Sequence, residues 1–221
     1  MNLPRYLFGS SSYGEIGILA GGIDKNGRIL KSVELYNSKL GTWECLSDMN
    51  LSRKNCGGFF MDGKFYVLGG ISNQGEVLTC GEEYNMETRA WRRINDMLPD
   101  WDGPVRQLIR PSPMIAVVKN QVYVADITTN MVKKYDKSNN TWNVVKSLPV
   151  RADSTNGWGL GFRAFGDKLL VIGGNRGIND DVVVFYSWRP EDGNGEGPEW
   201  DILSIIERAV YPIWPLTFFL P

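Results

Sequence analysis

The sequence predicts an all-β fold, a β-propeller built from four blade repeats. An apolar run that ends in Gly-Gly recurs along the chain, and a Tyr and a Trp seven residues apart follow it. Asp-Gly or Gly-Asp pairs separate neighbouring apolar runs, which is typical of tight hairpin turns. Repeats of roughly 40–50 residues with four short strands each are typical of propeller blades.

The first two repeats are the most regular. The pairs Gly21-Gly22 and Gly69-Gly70 stand 48 residues apart, and each precedes a Trp by 22 residues. The lead-in segments MNLPR (1–5) and MNLSR (49–53) repeat at the same distance. In the second repeat we predict strands near GGFFMD, KFYVLGG, CGEEYN and AWRRI, with a hairpin turn at Asp62-Gly63. The Gly-Gly pair is expected to end its strand, because a missing Cβ allows a sharp turn.

The third and fourth repeats depart from this pattern. Ala125-Asp126 replaces Gly-Gly in the third, whereas the fourth keeps LLVIGG (169–174), reaches Tyr186 through VVVFY, and has its Trp late, at Trp200. The insertion EDGNGEGPE (191–199) accounts for the delay. We predict a propeller region over residues 1–203, with repeat units centred on 21–43, 69–91, 125–142 and 173–200, followed by a divergent tail, 204–221.

The repeat unit resembles the kelch motif. Stretches such as FMDGKFYVLGG and NGWGLGFRAFGDKLLVIGG are similar to plant F-box/kelch-repeat proteins, the relatives of the Skp-interacting F-box proteins, and the resemblance covers about residues 3–203. It implies a kelch propeller that captures a protein substrate, while an F-box binds the Skp adaptor of a cullin-based (SCF) ubiquitin ligase. The repeats begin at the first residue without an F-box. We therefore expect a shortened gene product, an incomplete ring, and access to ligase subunits only through an F-box that this chain lacks.

Composition narrows the class of partner. The net charge is −1, from 24 basic and 25 acidic residues, so neither nucleic acid nor an anionic membrane is an expected partner. Three cysteines without CxxC spacing favour a reducing compartment. The start carries no signal-peptide pattern, and prolines and charges interrupt the apolar tail. We expect an intracellular protein, in the nucleus, the cytoplasm or both.

Enzyme chemistry finds little support in the sequence. The chain has no histidine, which excludes Ser-His-Asp and Cys-His catalysis and the copper site of galactose-oxidase-type propellers. The glycine-rich stretch 157–162 lies in an all-β context and is expected to be structural. The repeat-equivalent carboxylates Glu34, Glu83, Asp62 and Asp167 are expected in solvated turns and interblade salt bridges. We predict a non-catalytic protein-interaction module with no cofactor and no metal. The alternative is a kelch scaffold or cytoskeletal interaction protein with no ubiquitin-ligase link.

Partner contacts are expected in the loops that differ between repeats, because residues common to every blade hold the blades together. Several such loops carry arginines, and a cluster of guanidinium groups would bind carboxylates of an acidic client segment. Two tryptophans outside the repeat position could anchor a partner. The alternative is that the lead-in arginines brace neighbouring blades and that the tryptophans pack locally. The candidate partner-binding residues are Arg53, Arg106, Arg110, Arg151, Arg176, Trp101 and Trp158.

Overall fold

The computed structural model describes residues 1–98, 112–152, 159–176, 181–190 and 199–207, with the side chains of residues 175, 176, 181 and 207 left out. Strands account for all the regular structure in these ranges. The strand bounds are β1 Arg5–Tyr6, β2 Gly9–Tyr13, β3 Ile16–Ala20, β4 Ile23–Asp24, β5 Val33–Asn37, β6 Thr42–Leu46, β7 Gly57–Met61, β8 Lys64–Leu68, β9 Gly81–Asn85, β10 Ala90–Ile94, β11 Met114–Val118, β12 Gln121–Asp126, β13 Met131–Asp136, β14 Thr141–Ser147, β15 Leu160–Phe165, β16 Lys168–Arg176, β17 Asp181–Trp188 and β18 Asp201–Glu207.

The sixteen blade strands form four sheets, and within each sheet the strands lie in chain order. The four sheets are four-stranded and antiparallel, with the orders β2-β3-β5-β6 (blade 1), β7-β8-β9-β10 (blade 2), β11-β12-β13-β14 (blade 3) and β15-β16-β17-β18 (blade 4). The short strands β1 and β4 pair with each other. Consecutive strands in an up-and-down sheet are what a propeller blade requires, and this confirms the predicted all-β, kelch-type propeller fold.

Turns between paired strands use the residues that the sequence indicated. Asp62 and Gly63 join β7 to β8 with φ of 52° and 68°, the left-handed conformation of a two-residue hairpin turn. The predicted strands of the second repeat are confirmed as β7 to β10. The Tyr and Trp of each early repeat face each other across a strand pair, since Tyr84 lies opposite Trp91 with ring centroids 4.9 Å apart.

The Gly-Gly pair ends its strand in blades 1 and 2 because the chain passes close to a neighbouring backbone there. Gly70 has a φ of 100°, and a Cβ atom at this position would lie 2.6 Å from the Lys54 carbonyl oxygen. Gly22 has a φ of 92° and the same restriction from the Tyr6 carbonyl oxygen, at 2.7 Å. No residue with a side chain fits either site without a shift of the backbone.

Blades 3 and 4 correct three details of the sequence prediction. Strand pairing puts Asp126, rather than Ala125, level with Gly69, because Tyr123 pairs with Lys134 as Tyr66 pairs with Glu83. In blade 4 the strand continues through Gly173-Gly174 to Arg176, so this Gly-Gly pair does not end it.

The third detail is the aromatic pair of blade 4. Leu169 pairs with Trp188 just as Phe65 pairs with Tyr84, so Trp188 and not Tyr186 occupies the Tyr position. Its ring lies 5.8 Å from that of Trp200, so Trp188 and Trp200 form a ring pair like that of Tyr84 and Trp91 in blade 2. A tryptophan in place of tyrosine and the long insertion together concealed the true spacing.

The chain divides into two compact units. One lies within Met1–Ile115 and Asp136–Thr141, and the other lies within Ala116–Tyr135 and Trp142–Pro221. In the first unit, a core forms between blades 1 and 2 from Ile18, Val33, Phe60, Phe65 and Tyr84 together with smaller apolar side chains. In the second unit, buried side chains such as Val124, Val132, Leu169 and Val171 line the middle strands of the blades.

The end of the propeller region stays a prediction. Strand β18 runs through residue 203 and continues to Glu207, so the described sheet extends past the predicted boundary with the tail. Residues 208–221 lie outside the described residues.

Candidate partner-binding site

Arg53 lies at the end of blade 2 where the first strand of the blade begins and its second strand ends. In the first unit, two segments contact each other here. One is the lead-in to blade 2, and the other is the loop between the second and third strands of blade 1. The Arg53 amide donates to the Leu30 carbonyl oxygen at 3.0 Å, and the Gly22 amide donates to the Arg53 carbonyl oxygen at 2.8 Å. The lead-in is therefore held by backbone hydrogen bonds on both sides.

The long loops at this end are closed by side-chain turns. In blade 1 the Asp24 carboxylate accepts hydrogen bonds from the Asn26 and Arg28 amides and from Arg28 Nε. The Arg28 amide holds the pKa of Asp24 below its usual range, assisted by the guanidinium group of the same residue. In blade 2, Ser72 Oγ accepts from the Gln74 and Glu76 amides at 3.2 Å. Hydrogen bonds between side chain and backbone within each loop therefore fix the conformation of that loop.

A buried ion pair fixes the start of blade 2. Both the Arg53 and the Glu82 side chains are 0% exposed, and Arg53 Nη2 lies 2.7 Å from Glu82 Oε1. Arg53 Nη1 also donates to the carbonyl oxygens of Gly69, at 2.7 Å, and Cys80, at 3.2 Å. Glu82 accepts in turn from the backbone amides of Asn50 and Leu51. One guanidinium group therefore joins the lead-in, the end of the second strand and the third strand.

Blade 1 contains the same arrangement 48 residues earlier. Arg5 Nη2 lies 2.7 Å from Glu34 Oε1, and Arg5 Nη1 donates to the Gly21 and Ser32 carbonyl oxygens. Glu34 accepts from the Asn2 and Leu3 amides. Every oxygen of these carboxylates has a hydrogen-bond partner, which a buried carboxylate requires, whereas Arg53 Nε has none among the described residues. We call these two ion pairs the blade braces.

Blades 3 and 4 lack the carboxylate of the blade brace. Strand pairing puts Lys133 of blade 3 and Tyr186 of blade 4 level with Glu82. Lys133 instead pairs with Asp126, at 2.7 Å, and Asp126 also accepts from Thr128 Oγ1 and the Thr128 amide. Burial would raise the pKa of Asp126, but Lys133 and the threonine donors outweigh it and hold the pKa below its usual range.

The structure places the predicted site residues in different environments. Arg53 is inaccessible, so a partner contact through it would require blade 2 to open, and its geometry favours the bracing alternative. Arg151 is exposed and has no ion-pair partner among the described residues. Arg176 ends β16, with its side chain outside the description. Arg106, Arg110, Trp101 and Trp158 lie outside the described residues. Partner binding by this set stays a prediction.

Sequence reasoning missed the braces' carboxylates although a signal was present. In both early repeats a glutamate follows the lead-in arginine after 29 residues, Glu34 after Arg5 and Glu82 after Arg53, and no acidic residue occupies the level position in the later repeats. The repeat distance of 48 residues makes Glu82, and not Glu83, the equivalent of Glu34. Pairing an arginine and a glutamate that recur at one fixed distance would have identified them.

Two of the carboxylates expected in solvated turns are buried on strands instead. Glu34 forms a brace, and Glu83 on β9 accepts from Tyr66 Oη at 2.6 Å, Lys64 Nζ at 2.9 Å and Arg92 Nη2 at 3.1 Å. Burial would raise the pKa of Glu83, but these three hydrogen bonds lower it to about 2. Asp62 and Asp167 do lie in turns, where they pair with Lys137 and Arg189.

Within the described ranges, no group of three or more His, Cys, Asp or Glu side chains has the geometry of a metal site. The same part of the chain contains no helix that is long and apolar enough to span a membrane.

Comparison with known proteins agrees with the kelch-type fold described above. Residues 4–50 and 52–98 match the kelch motif family. The chain is 48% identical over 211 residues to the F-box/kelch-repeat protein At1g26930 of Arabidopsis thaliana, covering 92% of this chain and 49% of that protein. It is 50% identical over 209 residues to the F-box/kelch-repeat protein SKIP11 of the same plant, covering 92% of this chain and 44% of SKIP11.

The chain therefore spans about half the length of the curated relatives that it matches. Among solved structures, it is similar to the one described as the structure of YjhT, with a TM-score of 0.58 and 16% identity, covering 78% of this chain and 60% of that one. At this level of identity the similarity concerns the fold alone.

Proposed function

Because the chain carries kelch motifs and is similar over most of its length to the kelch-repeat portion of plant F-box/kelch-repeat proteins, we propose that it is a non-catalytic protein-interaction module. In this proposal the chain recognises the substrate of an SCF-type ubiquitin ligase. The observation that carries the proposal is the identity of about half of all aligned residues with two F-box/kelch-repeat proteins.

The described polar groups support binding rather than catalysis. The buried carboxylates Glu34, Glu82, Glu83 and Asp126 are each held by a cation and by further hydrogen-bond donors. The pKa values of Glu83 and Asp126 lie below their usual range, so these two carboxylates stay ionised near neutral pH and are poor proton donors. The sequence also contains no histidine. The chemistry that remains is recognition at loops.

Differences between blades indicate where recognition takes place. In blades 1 and 2 the lead-in arginine is used inside the blade, whereas Arg151 ahead of blade 4 is exposed and the level carboxylate is replaced by Tyr186. We assign Arg151 to binding an acidic segment of the client, since an exposed guanidinium group can bind a carboxylate with two hydrogen bonds. Arg106, Arg110, Arg176, Trp101 and Trp158 are the further proposed contacts.

The link to the ligase rests on the relatives. An F-box in the longer protein would bind the Skp adaptor and bring the cullin, while the kelch region would hold the client. The nucleus and the cytoplasm, where such ligases act, are the proposed locations. The alternative function is a kelch scaffold or cytoskeletal interaction protein that binds partners without any ligase subunit.

Affinity capture from plant extract, followed by mass spectrometry, tests the function. The two baits are this chain and full-length SKIP11, with Arg151→Glu as a site variant and Arg93→Glu, on the outer strand of blade 2, as its charge-matched control. We expect a client shared by both baits, Skp and cullin with SKIP11 alone, and loss of the client with Arg151→Glu only. Shared cytoskeletal partners without ligase subunits would support the scaffold. Equal capture by Arg151→Glu and Arg93→Glu would refute the site.

A further inference from the structure

The outer strand of blade 4 differs in chemistry from the outer strands of the other blades. In β18 the side chains of Ile202, Leu203, Ile205 and Ile206 are 49–59% exposed. The corresponding strands β6 and β10 read TWECL and AWRRI, with charged residues at their exposed positions, and β14 exposes one large aliphatic side chain, Val144. An exposed aliphatic strand of this kind marks an interaction surface.

The backbone of β18 adds to this surface. β18 pairs with β17, and no other described strand pairs with its second edge, whose N–H and C=O groups could accept an added strand. The register shifts between Phe185 and Tyr186, which places Ile202 level with Tyr186 and Ile206 level with Val183, on opposite faces of the sheet. A strand added to this edge would therefore find backbone hydrogen bonds and aliphatic contacts on both faces.

Charge argues against a second copy of this chain as the added strand. Antiparallel self-pairing that aligns all four aliphatic side chains is centred on Ser204, and it places Asp201 of one copy opposite Glu207 of the other. Like charges directly opposite each other destabilise a strand pair. The described counter-charge near this edge is Lys168, whose Nζ lies 3.6 Å from Asp201 Oδ2 at an exposed position, where the interaction is weak.

We propose that β18 is a strand-addition site for a partner segment that is extended, rich in Val and Ile, and flanked by Lys or Arg. The partner's aliphatic side chains would pack beside Ile202, Ile205 and Ile206, and its basic ends would lie near Asp201 and Glu207. The proposal concerns strand β18 rather than the residues assigned to the client, so it does not depend on the proposed function.

Fluorescence anisotropy with labelled peptides of about seven residues, the length of a short strand, tests the site. One peptide has a Val/Ile core with Lys at both ends, the second has the same core with Glu at both ends, and the third has a proline in the core. With the full chain, we expect the Lys-flanked peptide to bind about tenfold more tightly than the Glu-flanked one. The proline peptide should not bind, because it cannot complete the backbone ladder.

Variants locate the binding edge. Ile205→Lys should weaken the Lys-flanked peptide about tenfold, while Val144→Lys on β14 should leave its binding unchanged, and circular dichroism would verify that both variants fold. Ile202→Lys is the second variant if Ile205→Lys fails to fold. Equal binding of the two charged peptides, no binding, or equal effects of both variants would overturn the proposal. Self-association of the chain that Ile205→Lys abolishes would identify a second copy as the occupant and also overturn it.

Discussion

At the scale of single residues, the blade braces make the start of each early blade depend on one arginine. Arg53 supplies the charge that keeps Glu82 buried, and its Nη1 also donates to the carbonyl oxygens of Gly69 and Cys80. Removal of one member of a buried pair leaves the other charge without compensation, and this costs far more than the intact pair contributes. The two members are therefore expected to tolerate joint replacement better than single replacement.

Arg53→Ala should lower the free energy of unfolding by about 3–5 kcal/mol, measured by urea denaturation. Arg89→Ala, which removes an exposed ion pair with Glu44, is the control and should change little. The double variant Arg53→Met/Glu82→Leu should recover part of the loss, because it leaves no buried charge. An Arg53→Ala protein as stable as the parent would contradict the role of the brace.

The lowered pKa of Glu83 predicts that the free energy of unfolding depends on pH. Its pKa is about 2 in the folded chain and 4.5 ordinarily, so the folded state favours the ionised form. The resulting stabilisation is complete above about pH 4.5 and disappears as the pH falls to about 2. The difference in unfolding free energy between the parent and Glu83→Gln should shrink over this window in urea titrations at several pH values. A difference that stays constant would be evidence against the depressed pKa.

At the scale of elements, the Gly-Gly pair has two different roles. In blades 1 and 2 it turns the chain away from the sheet with positive φ, whereas in blade 4 it stays within a continuous strand. The difference follows the loop that comes next. In blades 1 and 2, residues 21–32 and 69–80 separate the second blade strand from the third, whereas in blade 4 residues 177–180 separate them.

Three Gly→Ala substitutions separate steric contact from backbone strain. Gly17→Ala has open space and an ordinary φ and should be nearly neutral. Gly75→Ala has open space but a φ of 81° and should cost about 1 kcal/mol. Gly70→Ala combines a φ of 100° with the contact to the Lys54 carbonyl oxygen and should cost the most, about 2–4 kcal/mol. Equal urea midpoints for Gly75→Ala and Gly70→Ala would show that the close contact is unimportant.

Repeat spacing predicted the strands of the regular blades because each blade position there has the same residue type and the same loop lengths. It failed by one residue at Asp126 and by two at Trp188, where loop length changed or one aromatic residue replaced another. The 29-residue distance that recurs between arginine and glutamate signals a pair, but an arginine in a lead-in has the same sequence signature whether it is buried or exposed. Only its distance from Glu82 in the folded blade separates the two roles.

At the scale of the whole molecule, the two units differ in how their blades are fixed. Both blades of the first unit contain a buried brace. In the second unit the described ion pair of comparable burial is that between Lys133 and Asp126, and the outer strand of blade 4 is exposed. Stability in repeat proteins is carried by individual repeats and their neighbours, so it should be uneven along the chain.

Hydrogen exchange followed by mass spectrometry should show slower exchange for β7–β9 than for β15–β18, because the braced strands open less often. Arg53→Ala should speed exchange in blade 2 more than in blade 4. Lys168→Ala, at the exposed pair with Asp201, serves as the control and should leave blade 2 unaffected. Uniform exchange rates across both units would contradict the uneven stability.

The hydrogen bonds that hold the lead-in of blade 2 have a consequence for recombining repeats. Blade 1 receives bonds from residues that come after its own last strand: Gly22 and Leu30 bond to Arg53, and Leu7 bonds to Asn55. A gene fragment that stops at the end of β6 would leave these groups of blade 1 without their partners. The exchangeable module is therefore longer than the sheet itself, and chimaeras joined after residue 55 should express better than chimaeras joined at residue 47.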